Sequence, residues 1–222
     1  MGRKITGMQI QKHNKQRVNI YLDGEFAFGL ARILTAWLKT GQELSKEKIA
    51  QLLAEDEREA AFQKAVKFLS YRDRTEAEIH AHLVNYGASE NIISEIVVRL
   101  KQNGLIDDNR FASTWVENRT AFRPRGRQAL TYELKQKGIA LHTIDKALED
   151  IDEDELAYRA AQKHQNKISA DNWLDFRKKL YAHLARRGFS YEIIATTVQK
   201  VWSERHNTSI PDHETQFEEV DE

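Results

Sequence analysis

Leu83-Val-Asn-Tyr-Gly87, Leu134-Lys-Gln-Lys-Gly138 and Leu184-Ala-Arg-Arg-Gly188 carry the same leucine-to-glycine step at intervals of 51 and 50 residues. The match continues in register on both sides. Eight residues before each glycine stand Ile79, Leu130 and Leu180; six after stand Ile93, Ile144 and Ile194. Val97, Leu148 and Val198 lie ten after, and Leu100, Ile151 and Val201 thirteen after. An apolar ladder of this length means one supersecondary unit used three times. The glycines are placed to end helices, because a C′ residue must enter the left-handed region and glycine does so without a Cβ penalty.

Each copy reads as three short helices. In the first they are expected over about 57–70, 75–86 and 89–102, with Thr75-Glu-Ala-Glu78 as a capping box for the middle one. The second copy runs over about 106–152, with Pro124 placed to open its middle helix. The third covers about 153–206, and Trp173, Phe176, Leu180 and Leu184 form a buried stripe in its middle helix. One group of about 50 residues buries little alone, so neighbours should stack. The fold class expected is mainly α: three tandem three-helix repeats, at 57–105, 106–152 and 153–206, in an elongated curved array.

Residues 1–55 lack the ladder. Val18-Asn-Ile-Tyr-Leu22 and Phe26-Ala-Phe28 flank Asp23-Gly24, a strong signal for a type I′ hairpin turn. His13-Asn14-Lys15 marks a second turn, so a small three-stranded sheet is expected. A helix should follow over Leu30–Leu38, and Ser45 should cap another. At the other end, residues 207–222 hold six acids without periodicity and are expected to form a disordered acidic tail.

The 222 residues contain 34 bases and 34 acids, so net charge names no partner. There is no cysteine, which excludes disulfides and thiolate chemistry. No segment approaches the roughly 18 apolar residues that span a bilayer, and no apolar run follows the charged N-terminus. A cytoplasmic protein without membrane attachment is expected. No GxxxxGK[ST], GxGxxG or GxSxG segment is present, so an enzyme is not expected, nor a cofactor or metal. His80 and His82 point apart on a helix and cannot share a metal. His82, Glu133 and His183 all stand five before a repeat glycine, a position read as solvated flank. The acid clusters at 55–57, 107–108 and 150–155 are read as helix starts.

The bases and acids lie in separate blocks. Residues 117–138 hold Arg119, Arg123, Arg125, Arg127, Lys135 and Lys137 against Glu117 and Glu133. Residues 172–188 hold Arg177, Lys178, Lys179, Arg186 and Arg187 against Asp175 alone. On a helix with Leu180 at the origin, Lys178, Lys179 and Arg186 fall roughly 160°, 260° and 240° away, facing outward. Arg123-Pro-Arg-Gly-Arg127 forms an arginine-rich helix entry where free N–H groups could add to an anion site. A nucleic acid or an acidic protein surface fits this charge equally well.

Phe68-Leu-Ser-Tyr-Arg-Asp-Arg-Thr-Glu-Ala-Glu78, Gly104-Leu-Ile-Asp-Asp-Asn-Arg-Phe-Ala112, Arg123-Pro-Arg-Gly-Arg127 and Leu134-Lys-Gln-Lys-Gly-Ile139 resemble the RecX regulatory proteins. The likeness is dense over about 60–151 and continues through the ladder to about 206. Arg17-Val-Asn-Ile-Tyr-Leu-Asp-Gly-Glu-Phe26 is similar to the N-terminal extension of longer members. The resemblance implies a non-enzymatic, monomeric modulator of the RecA recombinase in recombination, DNA repair and the SOS response. Such a protein lodges in the groove of the RecA–DNA filament and hinders its growth, ATP hydrolysis and strand exchange. Single- or double-stranded DNA is a further partner. Arg123, Arg125 and Arg127 match the family's basic motif, and Arg72 and Arg74 that of the first repeat. Asn85-Tyr86 departs from the basic residues common before the repeat glycine. The competing expectation is a direct DNA-binding regulator of helix-turn-helix type, which compact three-helix groups also suit.

Overall fold

The computed structural model describes residues 2–170 and 172–206; the tail reading for 207–222 lies outside the described residues. The chain divides into two compact units, Met1–Asp107 and Asp108–Glu222.

In the first unit, strands β1 (Arg3–Ile10), β2 (Arg17–Leu22), β3 (Glu25–Ala31) and β4 (Glu43–Leu44) form an antiparallel sheet in the order β3-β2-β1-β4. The hairpin turn is the one expected: Leu22 pairs with Glu25, and Asp23 and Gly24 both have positive φ, 52° and 92°. The sheet has four strands rather than three. Its extra strand is two residues long, too short for a periodic signal in sequence. The helix expected over 30–38 is also corrected: Leu30 and Ala31 finish β3, and only Arg32–Thr35 turn, as a 3-10 helix.

Helix α1 (Lys46–Leu69) is continuous for 24 residues. It joins what the sequence suggested were an N-terminal module ending near 55 and a repeat starting at 57. Ser45 caps it through the Lys48 N–H. Its first half places Ile49 and Leu52 on the sheet core of Ile5, Val18, Ile20, Leu22, Leu30 and Leu44. Its second half places Ala61, Phe62 and Ala65 against helices α2 (Glu76–Tyr86) and α3 (Glu90–Gln102). Asp56 is therefore mid-helix, not at a helix start. Its carboxylate accepts Arg17 Nη2 at 2.7 Å and the Ala31 N–H at 2.6 Å, tying α1 to the sheet.

The second unit contains α4 (Asp108–Phe122), α5 (Arg127–Gln136) and α6 (Leu141–Leu148), then α7 (Glu153–Gln165), α8 (Trp173–Ala185) and α9 (Tyr191–His206). Two adjoining cores fill these three-helix groups, one around Leu130, Leu134 and Ile144, the other around Phe176, Leu180, Leu184 and Ile194.

Every step of the ladder is buried except Ile151, which is half-buried against both cores of the second unit. Leu83, Leu134 and Leu184 are fully buried, as are Ile79, Leu130 and Leu180. The glycines end their helices identically. Gly87, Gly138 and Gly188 have φ of 92°, 76° and 78°. The following N–H, of Ala88, Ile139 or Phe189, returns to the carbonyl of Leu83, Leu134 or Leu184. That is the Schellman closure, and it satisfies carbonyls that would otherwise end the helix unpaired.

Candidate binding surface at the α4–α5 corner

The corners between the first and second helices of the first two groups hold Arg72 and Arg74, and Arg123 and Arg125. In the second unit the α4–α5 corner is residues 123–126. Pro124 is buried and stands two residues before the N-cap, which is Gly126, so it does not open the helix as expected. Gly126 brings no capping side chain. Instead Glu153, the first residue of α7, accepts the Arg127 N–H at 2.9 Å, and its other oxygen lies 4.0 Å from Arg127 Nε. A carboxylate of the chain thus occupies the helix entry where an external anion seemed possible.

Glu133 organises the next layer. It is half-buried, not a solvated flank, and accepts Trp115 Nε1 at 2.8 Å and Arg119 Nε at 2.8 Å. Arg125 Nη1 approaches its Oε1 to 2.6 Å as a close charge pair whose angles fall outside hydrogen-bond geometry, leaving Oε1 without a hydrogen bond. Two guanidinium groups share one carboxylate, so the cluster retains positive charge. Trp115 also faces the Arg119 guanidinium 4.4 Å from its ring centre and Lys137 at 5.7 Å.

Position 183 is likewise built in. His183 stacks on His164 with ring centres 3.6 Å apart and meets Arg187 Nε at 2.9 Å. Burial, then the charges of its neighbours His164, Arg187, Arg186 and Lys167, pushes its pKa down to about 4. Burial, then Lys167, Arg187 and Arg186, lowers that of His164 as well. Both rings are thus neutral near pH 7. In the first unit His82 fills the same repeat position and stacks on Phe68 at 4.0 Å. Side chains of two chemistries serve one packing role, which the His/Glu/His variation concealed.

Arg187 reaches from the end of α8 to the corner. Its Nη1 donates to the Pro124 carbonyl at 3.0 Å, and its own carbonyl accepts the Gly126 N–H at 2.9 Å. From α7, Arg159 Nη2 donates to the Ala121 carbonyl at 3.2 Å. Arg123 is exposed and makes no ion pair with another described residue.

The remaining candidates are dispersed. Lys135, Lys178 and Arg186 are exposed; Lys179 turns back to the Ser169 carbonyl at 2.6 Å. In the first unit Arg72 clamps both oxygens of Glu78, at 2.9 and 3.0 Å. Arg74 lies 3.8 Å over the Phe68 ring, its buried Nε without an acceptor among the described residues. Those two arginines are committed within the fold. Among the described residues no cluster of His, Asp or Glu could hold a metal, and no helix is long and apolar enough to cross a membrane.

The sheet and the three helical groups each match a known family domain. Residues 3–45 match the RecX N-terminal domain, and 61–100, 107–148 and 152–198 match the first, second and third RecX three-helix domains. The regulatory protein RecX of Bacillus licheniformis is 33% identical over 201 residues, covering 88% of this chain and 76% of that protein. The chain belongs to the RecX family. The Bacillus subtilis RecX is 31% identical over 202 residues, with 89% and 76% covered. A crystal structure of a regulatory protein RecX superposes with a TM-score of 0.72 at 30% identity, covering 88% of this chain and 98% of that one. RecX from Lactobacillus salivarius gives 0.61 at 29%, covering 66% and 97%. RecX proteins are regulators rather than a known enzyme family, in keeping with a site made of arginines and aromatic rings.

Proposed function

We infer that this chain is a non-enzymatic, monomeric regulator in the cytoplasm that binds the RecA–DNA filament and slows its ATP hydrolysis, extension and strand exchange in recombination, repair and the SOS response. Family membership supports the partner. The observation that carries the mode of action is the α4–α5 corner, where five arginines converge: Arg119 and Arg125 on Glu133, Arg159 and Arg187 on main-chain carbonyls, and Arg123 exposed. A cationic surface held in fixed geometry suits an acidic protein face or a nucleic-acid backbone within a filament. Its arginines offer planar, bidentate donors, better matched to carboxylates and phosphates than lysine would be.

The decisive assay is DNA-dependent ATP hydrolysis by purified RecA. Added at or below equimolar ratio, this protein should slow turnover. Unchanged RecA turnover together with tight, sequence-specific duplex binding would overturn the reading in favour of a helix-turn-helix DNA regulator.

A further inference from the structure

Phe122 ends α4 with 75% of its surface exposed, and the ladder core does not use it. A single exposed apolar residue is ordinary; its surroundings here are not. On either side of it main-chain carbonyls are held by guanidinium groups, Ala121 by Arg159 and Pro124 by Arg187. Arg123 follows directly and is exposed. Arg119 and Arg125 lie close by and share Glu133, which those two side chains and Trp115 largely cover. Glu117, the next acid along α4, is five residues back and about 140° around the helix. The ring is thus an exposed aromatic face with guanidinium groups on both sides, and the acids of the corner, Glu133 and Glu153, are engaged by Arg119, Arg125 and Arg127.

We propose that Phe122 is a base-stacking residue and that this corner binds single-stranded nucleic acid, with Arg123 and its neighbours taking the flanking phosphates. The shape favours that ligand. One exposed ring among polar neighbours is too small an apolar area to seat a protein partner, but it matches one unstacked base. Arg159 spends one N–H on the Ala121 carbonyl, and Arg187 spends Nη1 on the Pro124 carbonyl and Nε on His183, which fixes both planes while their other N–H groups remain to meet phosphate oxygens. A duplex keeps its bases stacked and cannot offer one to the ring, so single strands are preferred.

The first repeat supplies an internal contrast. Tyr71 stands sixteen residues before Gly87, as Phe122 does before Gly138, and is 72% exposed. There, however, Arg72 is locked on Glu78 and Arg74 on Phe68. The ring is present without available cations, and Tyr71 should add little to strand binding.

Fluorescence anisotropy with a labelled oligothymidylate and a duplex of equal length tests this on the full chain. Phe122→Ala should weaken single-strand binding about tenfold with its salt dependence unchanged, and Phe122→Tyr should restore it. Arg123→Gln should instead flatten the log K against log salt slope by about 0.7. Duplex binding should be indifferent to Phe122→Ala, and Tyr71→Ala should behave as the parent. Circular dichroism should show every variant folded, since both rings are exposed. Parent-like single-strand affinity in Phe122→Ala, or an equal loss on duplex, overturns the proposal. So does loss of binding to an acidic peptide, rather than to the oligonucleotide, on removing the ring. Free single strand is the ligand, so failure of the recombinase assay would leave this site intact.

Discussion

Gly126 and Gly188 meet backbone to backbone. A Cβ on Gly126 would fall 2.2 Å from the Gly188 carbonyl oxygen, and one on Gly188 would fall 2.4 Å from the Ala129 nitrogen. With the Gly126 N–H on the Arg187 carbonyl and the Arg187 side chain on the Pro124 carbonyl, this contact locks the end of α8 against the start of α5. Because backbone cannot yield as a flexible side chain does, Gly126→Ala should destabilise the second unit by about 2–3 kcal/mol. Gly188→Ala should cost at least as much, since φ there is also positive. Gly87→Ala is the control: nothing lies within 4 Å of its Cβ, so only the left-handed strain of about 1–2 kcal/mol remains. Three of the four tryptophans (Trp115, Trp173 and Trp202) lie in the second unit, so urea unfolding followed by tryptophan emission reads the difference.

Glu133→Gln keeps a hydrogen-bond acceptor for Trp115 and removes the charge that Arg119 and Arg125 share. Charge-assisted bonds from a half-buried carboxylate contribute more than neutral ones, so a loss of about 1–2 kcal/mol is expected. The same unfolding measurement checks it. Stability equal to the parent's would show that the two arginines hold their places without the carboxylate.

Stability should also fall on mild acidification. His183 has a pKa of about 4 in the fold against 6.5 ordinarily, and that of His164 is lowered too. Between those values the unfolded chain binds more protons than the folded one, so the contribution is complete above about pH 6.5 and is lost as pH drops toward 4. Thermal midpoints taken from about pH 7 to about pH 5 avoid most carboxylate titration. The slope in that window should flatten in His183→Gln.

The ladder was legible because burial leaves a periodic trace: Leu83, Leu134 and Leu184 needed the same side chain for the same core. The Asp23-Gly24 turn was legible because its backbone demands those residues. What escaped was pairing across distance. Nothing near Asp56 in sequence announces Arg17 and the Ala31 N–H, so a mid-helix tether looked like a helix start. Glu133 and His183 looked solvated because one position accepted either an acid or a histidine, yet each meets partners on another helix. The arginines of 119–127 were picked out from composition, but Arg159 and Arg187 complete the corner from α7 and α8. Arg187 stood among the candidates; Arg159, isolated in an acidic segment, gave no signal.

Those pairings separate the arginines of the motif by role. Arg125 serves Glu133 and Arg127 lies beside Glu153, so changing Arg123, Arg125 and Arg127 together would disturb the fold as well as the surface. Arg123 alone is exposed without an ion pair among the described residues. Arg123→Ala should therefore leave the urea midpoint within about 0.5 kcal/mol of the parent while weakening the slowing of RecA ATP hydrolysis. Arg125→Ala should lower both, and its stability loss should shrink in a Glu133→Gln background, because the carboxylate it would abandon is gone. An Arg123→Ala protein that slows RecA as fully as the parent, at unchanged stability, would move the working contact away from this corner.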